Sequence, residues 1–200
     1  MMMKRLGPVL GLLVLAGCAS TVKSQRLRDD YAQVDRLQVK RLAVVTQPLP
    51  DDKAEVGELW SLIARQWVNQ NRDFLVKSNV ALPGQPADAA FREQCVEGIE
   101  GVLWLSPQVK RVGDGVEAAV KAQLLRCRDG QEVWAVESAG SWGSKDAKYV
   151  ERTEQYVQQF GPSVEPYVVP SYKLLVATLE TLPNPELTDA DKDEKIDLGE

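Results

Sequence analysis

Histidine does not occur anywhere in the 200 residues. Its absence removes Ser-His and Cys-His catalysis, imidazole acid–base chemistry near neutral pH, and most zinc and haem sites. Cysteine is scarce, with Cys18, Cys95 and Cys127 as the three copies, and none sits in a CxxC pair. No glycine-rich phosphate loop is present, since Ala139-Gly140-Ser141-Trp142-Gly143-Ser144 lacks both GxGxxG spacing and a lysine directly after either glycine. No apolar run approaches the length of about 18 residues that a membrane-crossing helix requires. No cofactor and no internal repeat is expected.

What remains is ordinary globular material, 44% hydrophobic and 26% charged, enough for one domain with a real core. The chain is acidic, with a net charge of −5. Much of that charge lies in 183–200, which holds seven acids against Lys192 and Lys195. With no basic face in view to neutralise phosphates, nucleic acid is not an expected partner.

Lys4 and Arg5 precede an apolar stretch from Leu6 to Ala16, too short to span a bilayer but of the length of a signal-peptide core. It leads into Leu15-Ala16-Gly17-Cys18, which resembles the lipobox of bacterial lipoproteins. The resemblance implies cleavage after Gly17, a diacylglyceryl group on the Cys18 sulfur and acylation, for example palmitate, of the new terminus. Ala19 stands where an Asp would change sorting, so the implied destination is the outer membrane, with the domain facing the periplasm. Two or more acyl chains give stable anchoring. Residues 1–17 are accordingly read as a removed signal peptide, and 18–36 as the lipidated cysteine and a polar tether reaching roughly 60 Å when extended.

The domain is expected over 37–182. Leu37 and Val39 alternate, and Leu42 to Val45 are continuously apolar, as in a strand buried on both faces. Asp52 and Glu55 suit a capping box for a helix whose stripe is Val56, Leu59, Trp60, Ile63, Trp67 and Val68. A strand at 74–82, a short helix at 88–97 and a strand at 101–112 follow. Turn signals at Gly113-Asp114-Gly115 and Arg128-Asp129-Gly130 divide three strands into an antiparallel meander. Two amphipathic helices end at Gly161-Pro162 and Pro183. The fold class is therefore α/β, a single-domain sandwich with helices packed on a mixed sheet. Residues 183–200 are read as a solvated acidic tail.

Four groups of residues are candidates for chemistry. With Cys18 acylated, Cys95 and Cys127 form an even pair in an oxidising compartment, where a bridge contributes about 3.5–4 kcal/mol in the loop-entropy account. The other reading is two buried thiols, since Cys95 shares an apolar face with Phe91. Counting from Asp189 places Asp191, Asp193 and Glu200 at calcium-loop positions, but Glu194 occupies the position that requires glycine. Glu97, Glu100, Glu132 and Glu137 are the carboxylates open to a glycosidase-like pairing. Of the tryptophans, Trp60 and Trp67 belong to the helix stripe, whereas Trp142, in a Gly-Ser-rich stretch, is the candidate exposed contact.

The segments "NRDFLVK", "GVLWLSPQVKRVGDGVEAAVKAQLLRCRDGQEVWAVESAGS" and "TLPNPELTDADKDEKIDL" together resemble an uncharacterised family of bacterial lipoproteins found in myxobacteria and leptospires. That resemblance implies an envelope lipoprotein and supplies no activity. The element order is also similar to small α/β domains of curli-secretion and penicillin-binding-protein activator lipoproteins. The functional expectation is a non-catalytic domain, anchored to the membrane by lipid, that binds another envelope protein. The alternatives are a carboxylate-dependent hydrolase of a periplasmic glycan or lipid, and a small-ligand carrier with an apolar pocket enclosed between sheet and helices.

Overall fold

The computed structural model describes residues 20–49, 53–84 and 87–198. The signal segment 1–17, Cys18, Asp52 and Glu200 lie outside the described residues. In chain order the elements are β1 (Val22–Leu27), α1 (Asp35–Gln38), β2 (Arg41–Thr46), α2 (Ala54–Asn71), β3 (Leu75–Ala81), α3 (Ala87–Gln94), β4 (Gly101–Val112), β5 (Gly115–Arg126), β6 (Glu132–Gly143), α4 (Val150–Phe160), α5 (Glu165–Leu179) and α6 (Asp189–Leu198).

The strands form one open six-stranded mixed sheet in the order β1-β6-β5-β4-β2-β3. β2 is parallel to β3 and β4, and parallel neighbours need long crossovers, which α2 and α3 supply. β4, β5 and β6 form the expected antiparallel meander. Its first turn places Gly113 at φ 57°, a left-handed conformation that glycine adopts without steric cost.

Strand residues alternate between faces, so the two sides of the sheet can be read from the packing. On one side Leu42, Val44, Leu103, Leu105, Leu124 and Trp134 meet Leu59, Trp60 and Ile63 of α2 and Leu174, Leu175 and Leu179 of α5. On the other, Val45, Val102 and Trp104 meet Ala90, with Phe91, Leu125 and both body cysteines packed around them. The apolar run in β2 thus reflects burial on both faces. Trp60 and Trp134 are completely buried, and truncating such a side chain to alanine typically costs about 3–5 kcal/mol.

Three sequence expectations are corrected. First, the segment read as a tether is largely part of the domain. Val22–Leu27 runs antiparallel to β6, with Leu27 opposite Trp134 and Gln25 opposite Val136. The twelve-residue β6 would otherwise expose a whole edge of unpaired backbone groups. Beyond β1, Tyr31 is buried and its hydroxyl donates to the Pro183 carbonyl at 3.4 Å. Asp35 is fully buried and accepts from Arg126 Nη1 at 2.6 Å.

Second, Leu37 does not begin a strand. It lies in the short turn of α1 and is exposed, and the strand starts at Arg41. Third, the acidic tail is not simply solvated, because Asp189–Leu198 is helix α6, docked on the edge of the sheet by ion pairs. Asp191 is buried at 4% exposure. It accepts from Lys40 Nζ and Arg41 Nη2, each at 2.7 Å, and from the Thr188 hydroxyl at 2.7 Å. Glu194 accepts from Arg41 and Lys77, and Lys195 donates to the Arg72 and Phe74 carbonyls.

Candidate binding groove on the uncovered sheet face

Helices α2 and α5 cover one face of the sheet. On the other, among the described residues, α3 covers only the region where β2 and β4 meet. Past α3 the face is open, and Gln108, Lys121 and Glu137 on β4, β5 and β6 are exposed. Where α3 meets this open face lies a groove of about 750 Å³.

The groove has three kinds of lining. Phe91, Trp104 and Leu125 give it an apolar floor, and Trp104 is largely buried where α3 packs against it. Gln47, Ser106 and Gln123 add amide and hydroxyl groups. Gln123 Nε2 donates to Glu132 at 2.5 Å, which leaves its carbonyl oxygen as an acceptor. Arg92, Lys121 and Arg128 place three cations around the rim.

The one carboxylate in the lining, Asp129, is already held. It accepts from Arg126 Nε at 2.9 Å and Nη2 at 2.7 Å, which lowers its pKa to about 2 and keeps it ionised. Arg128 Nη1 donates to Gln38 at 2.9 Å. Lys121 stands opposite Glu137 in the ladder without closing an ion pair. Arg92 and Lys121 have no hydrogen-bond or ion-pair partner among the described residues. In an acidic protein this is a locally positive site.

Cys95 and Cys127 are joined by a disulfide, with Cα atoms 5.4 Å apart and a sequence separation of 32. The bridge ties the end of α3 to the end of β5 and thereby holds the roof of the groove against its floor. Cys95→Ser is expected to lower stability by about 2–4 kcal/mol in denaturant unfolding. It should also speed amide exchange in α3 more than in α2.

The other candidates are dispersed. Trp142 is not an exposed contact. It lies on the helix-facing side of β6, packs against the main core, and covers Gly140 so closely that a Cβ there would meet its ring at 2.4 Å. Glu100 accepts from the backbone N–H groups of Lys40 and Arg41, at 2.7 and 3.0 Å, and Glu132 is bound by Arg26 and Gln123. Glu97 is exposed in the turn between α3 and β4, and Glu137 is exposed on β6. The calcium-loop reading fails because Asp189, Asp191 and Asp193 lie on a helix, where alternate residues point apart, and Asp191 spends its oxygens on Lys40, Arg41 and Thr188. No metal-binding cluster of carboxylates and cysteines occurs among the described residues. The space between sheet and helices, where a carrier would need a pocket, is filled by Trp60, Trp134, Leu174 and Leu175.

None of the groove-lining side chains was among the sequence candidates except Cys127. They come from four separate segments, and the register of the sheet with the packing of α3 on it brings them together. A faint signal was present in β5, where Lys121, Gln123 and Leu125 alternate with the buried Ala122 and Leu124.

No family model matches the chain, and no curated protein matches it. The myxobacterial and leptospiral resemblance therefore stands on the quoted segments alone. Among solved structures the chain has matches at low identity, each with a TM-score below 0.5. One is the PelC dodecamer from Paraburkholderia phytofirmans, 16% identical over 73% of this chain and 95% of that one, with a TM-score of 0.45. Lipoprotein GNA1162 from Neisseria meningitidis is 18% identical over 60% of this chain and 96% of that one, at 0.36. The hypothetical protein CT253 from Chlamydia trachomatis is 15% identical over 69% of this chain and 92% of that one, at 0.39. No residue's role is carried over from these likenesses.

Proposed function

We propose that this chain is a lipoprotein of the outer membrane, acylated on Cys18, whose periplasmic domain binds another envelope protein without catalysing a reaction. The observation that carries the reading is the groove. It is open, apolar at its floor, lined with amide and hydroxyl groups that match a peptide backbone, and rimmed by cations that have few internal partners. Those features suit an acidic polypeptide segment with an apolar side chain to seat on Phe91, Trp104 and Leu125. The lipobox supports the envelope location, and the Cys95–Cys127 bridge suits its oxidising compartment. Among the described residues no helix is long and apolar enough to cross a membrane.

Affinity capture of the chain from gently solubilised membranes tests the proposal. The expected result is a specific protein partner whose retention weakens with added salt, as contacts between exposed charges do. Recovery of no specific partner, together with turnover of a cell-wall glycan or lipid by the purified chain, would overturn it in favour of a hydrolase.

A further inference from the structure

β1 begins at Val22, only four residues after Cys18. Four residues reach at most about 13–14 Å in any conformation. The Ala139 N–H still donates to the Thr21 carbonyl at 2.9 Å, so the chain leaves β1 along β6 and toward the C-terminal end of that strand.

Val22 lies opposite Ser138, and β6 continues to Gly143, which is paired with Gly115. At about 3.3 Å per residue, that end of β6 and the adjoining β4–β5 turn project roughly 17–20 Å past Val22. The turn therefore extends at least as far as Cys18 can reach in that direction. Val112, at the turn, is 46% exposed, and Val150, which follows the end of β6, is 54% exposed. Arg111 and Lys145 line one cleft at this end together with Asp114 and Glu165, and neither cation closes an ion pair among the described residues, so both remain able to turn toward the surface.

Resting on the Cys18 reading, we propose that the β4–β5 turn is a second membrane contact. Val112 enters the interfacial region of the phospholipid bilayer, and the Arg111 and Lys145 stems lie along the surface with their charges at the headgroup phosphates. The domain then stands with its strands directed away from the membrane. The groove under α3 opens near the distal end, where Leu125 lies near the end of β5 and Cys127 directly follows it.

The test uses the full acylated chain in vesicles of phosphatidylethanolamine and phosphatidylglycerol. An environment-sensitive fluorophore is attached at Val112→Cys, and at Leu37→Cys near the opposite end as a control. Co-sedimentation is measured on the same samples. The expected result is a blue shift and a severalfold intensity gain at position 112 on adding vesicles, with quenching by lipid-borne nitroxide and none at position 37.

Co-sedimentation with position 112 still open to aqueous iodide would overturn the membrane contact and leave the anchor standing. Failure to co-sediment would overturn both. A blue shift at position 112 that rises with protein concentration and needs no lipid would assign the turn to a second copy of the chain, and would also overturn the proposal.

Discussion

Cys18→Ala is expected to abolish incorporation of labelled palmitate and to move the protein from the membrane pellet to the soluble periplasmic fraction. The size of this effect follows from the number of chains lost. Burial contributes about 0.8 kcal/mol per CH₂, and one chain gives marginal, reversible attachment where two or more give stable anchoring. The sulfur of Cys18 is the site in the lipobox reading that carries the diacylglyceryl group, so its loss removes both chains of that group, and the terminal amine that would carry a further acyl group belongs to the same lost cysteine. The remaining Val112 contact is too small to hold the protein at a bilayer by itself. Fractionation and label incorporation measure the outcome, and unchanged labelling would refute the lipobox assignment.

The second large effect is on the C-terminal helix. Asp191→Ala is expected to destabilise the chain by about 3–5 kcal/mol, because it removes one partner of a buried pair and strands the other. That other partner is Lys40, itself 8% exposed. Arg41 loses one of its carboxylates in the same step. Asp191→Asn keeps acceptor atoms near Lys40 and Arg41 and should cost less.

The pair also sets an acid dependence. The Lys40 ammonium, then Thr188 and Arg41, hold the Asp191 carboxyl well below the usual carboxylate range, and Arg41 and Lys77 act on Glu194 in the same direction. A depressed folded-state pKa means the stabilisation is fully present above the unfolded value of about 4 and is lost as pH falls through the folded value. Denaturation midpoints measured from neutral pH downward should therefore fall below about pH 4 in the native sequence, and more shallowly in Asp191→Asn. A parallel decline in the two proteins would contradict the role given to Asp191.

These two elements show where sequence reading succeeds and where it stops. The stripe from Val56 to Val68 predicts α2 because a helix buried along one side must repeat its apolar residues near every third or fourth position. Leu42 to Val45 predicts a central strand for the converse reason, and the glycines at 113 and 130 mark turns that need positive φ. Each of these signals is local.

β1 gave no comparable signal. In Val22–Leu27 five of six side chains are exposed, so there is little apolar alternation to read, and the strand exists because β6 offers it an edge. α6 is as polar as a solvated tail, and its docking partners Lys40, Arg41 and Lys77 lie more than a hundred residues earlier. The groove is legible only in three dimensions, since α3, the start of β4 and the end of β5 contribute to it from separate parts of the chain. The cysteine pair sits between these cases. An even count in an oxidising compartment left bridge and free thiols both open, and the fold brings the two residues together.

In the proposed function the cationic groove is what holds a partner. The most direct measurement is quantitative capture from solubilised membranes by the native chain and by a variant carrying Arg92→Glu and Lys121→Glu. Both residues are exposed and lack internal ion pairs among the described residues, so the variant should keep its fold, as circular dichroism can check. The account predicts that the native chain retains a specific partner and that the variant retains it about tenfold less well, or worse, a loss of at least about 1.4 kcal/mol. Undiminished retention by the folded variant would contradict it.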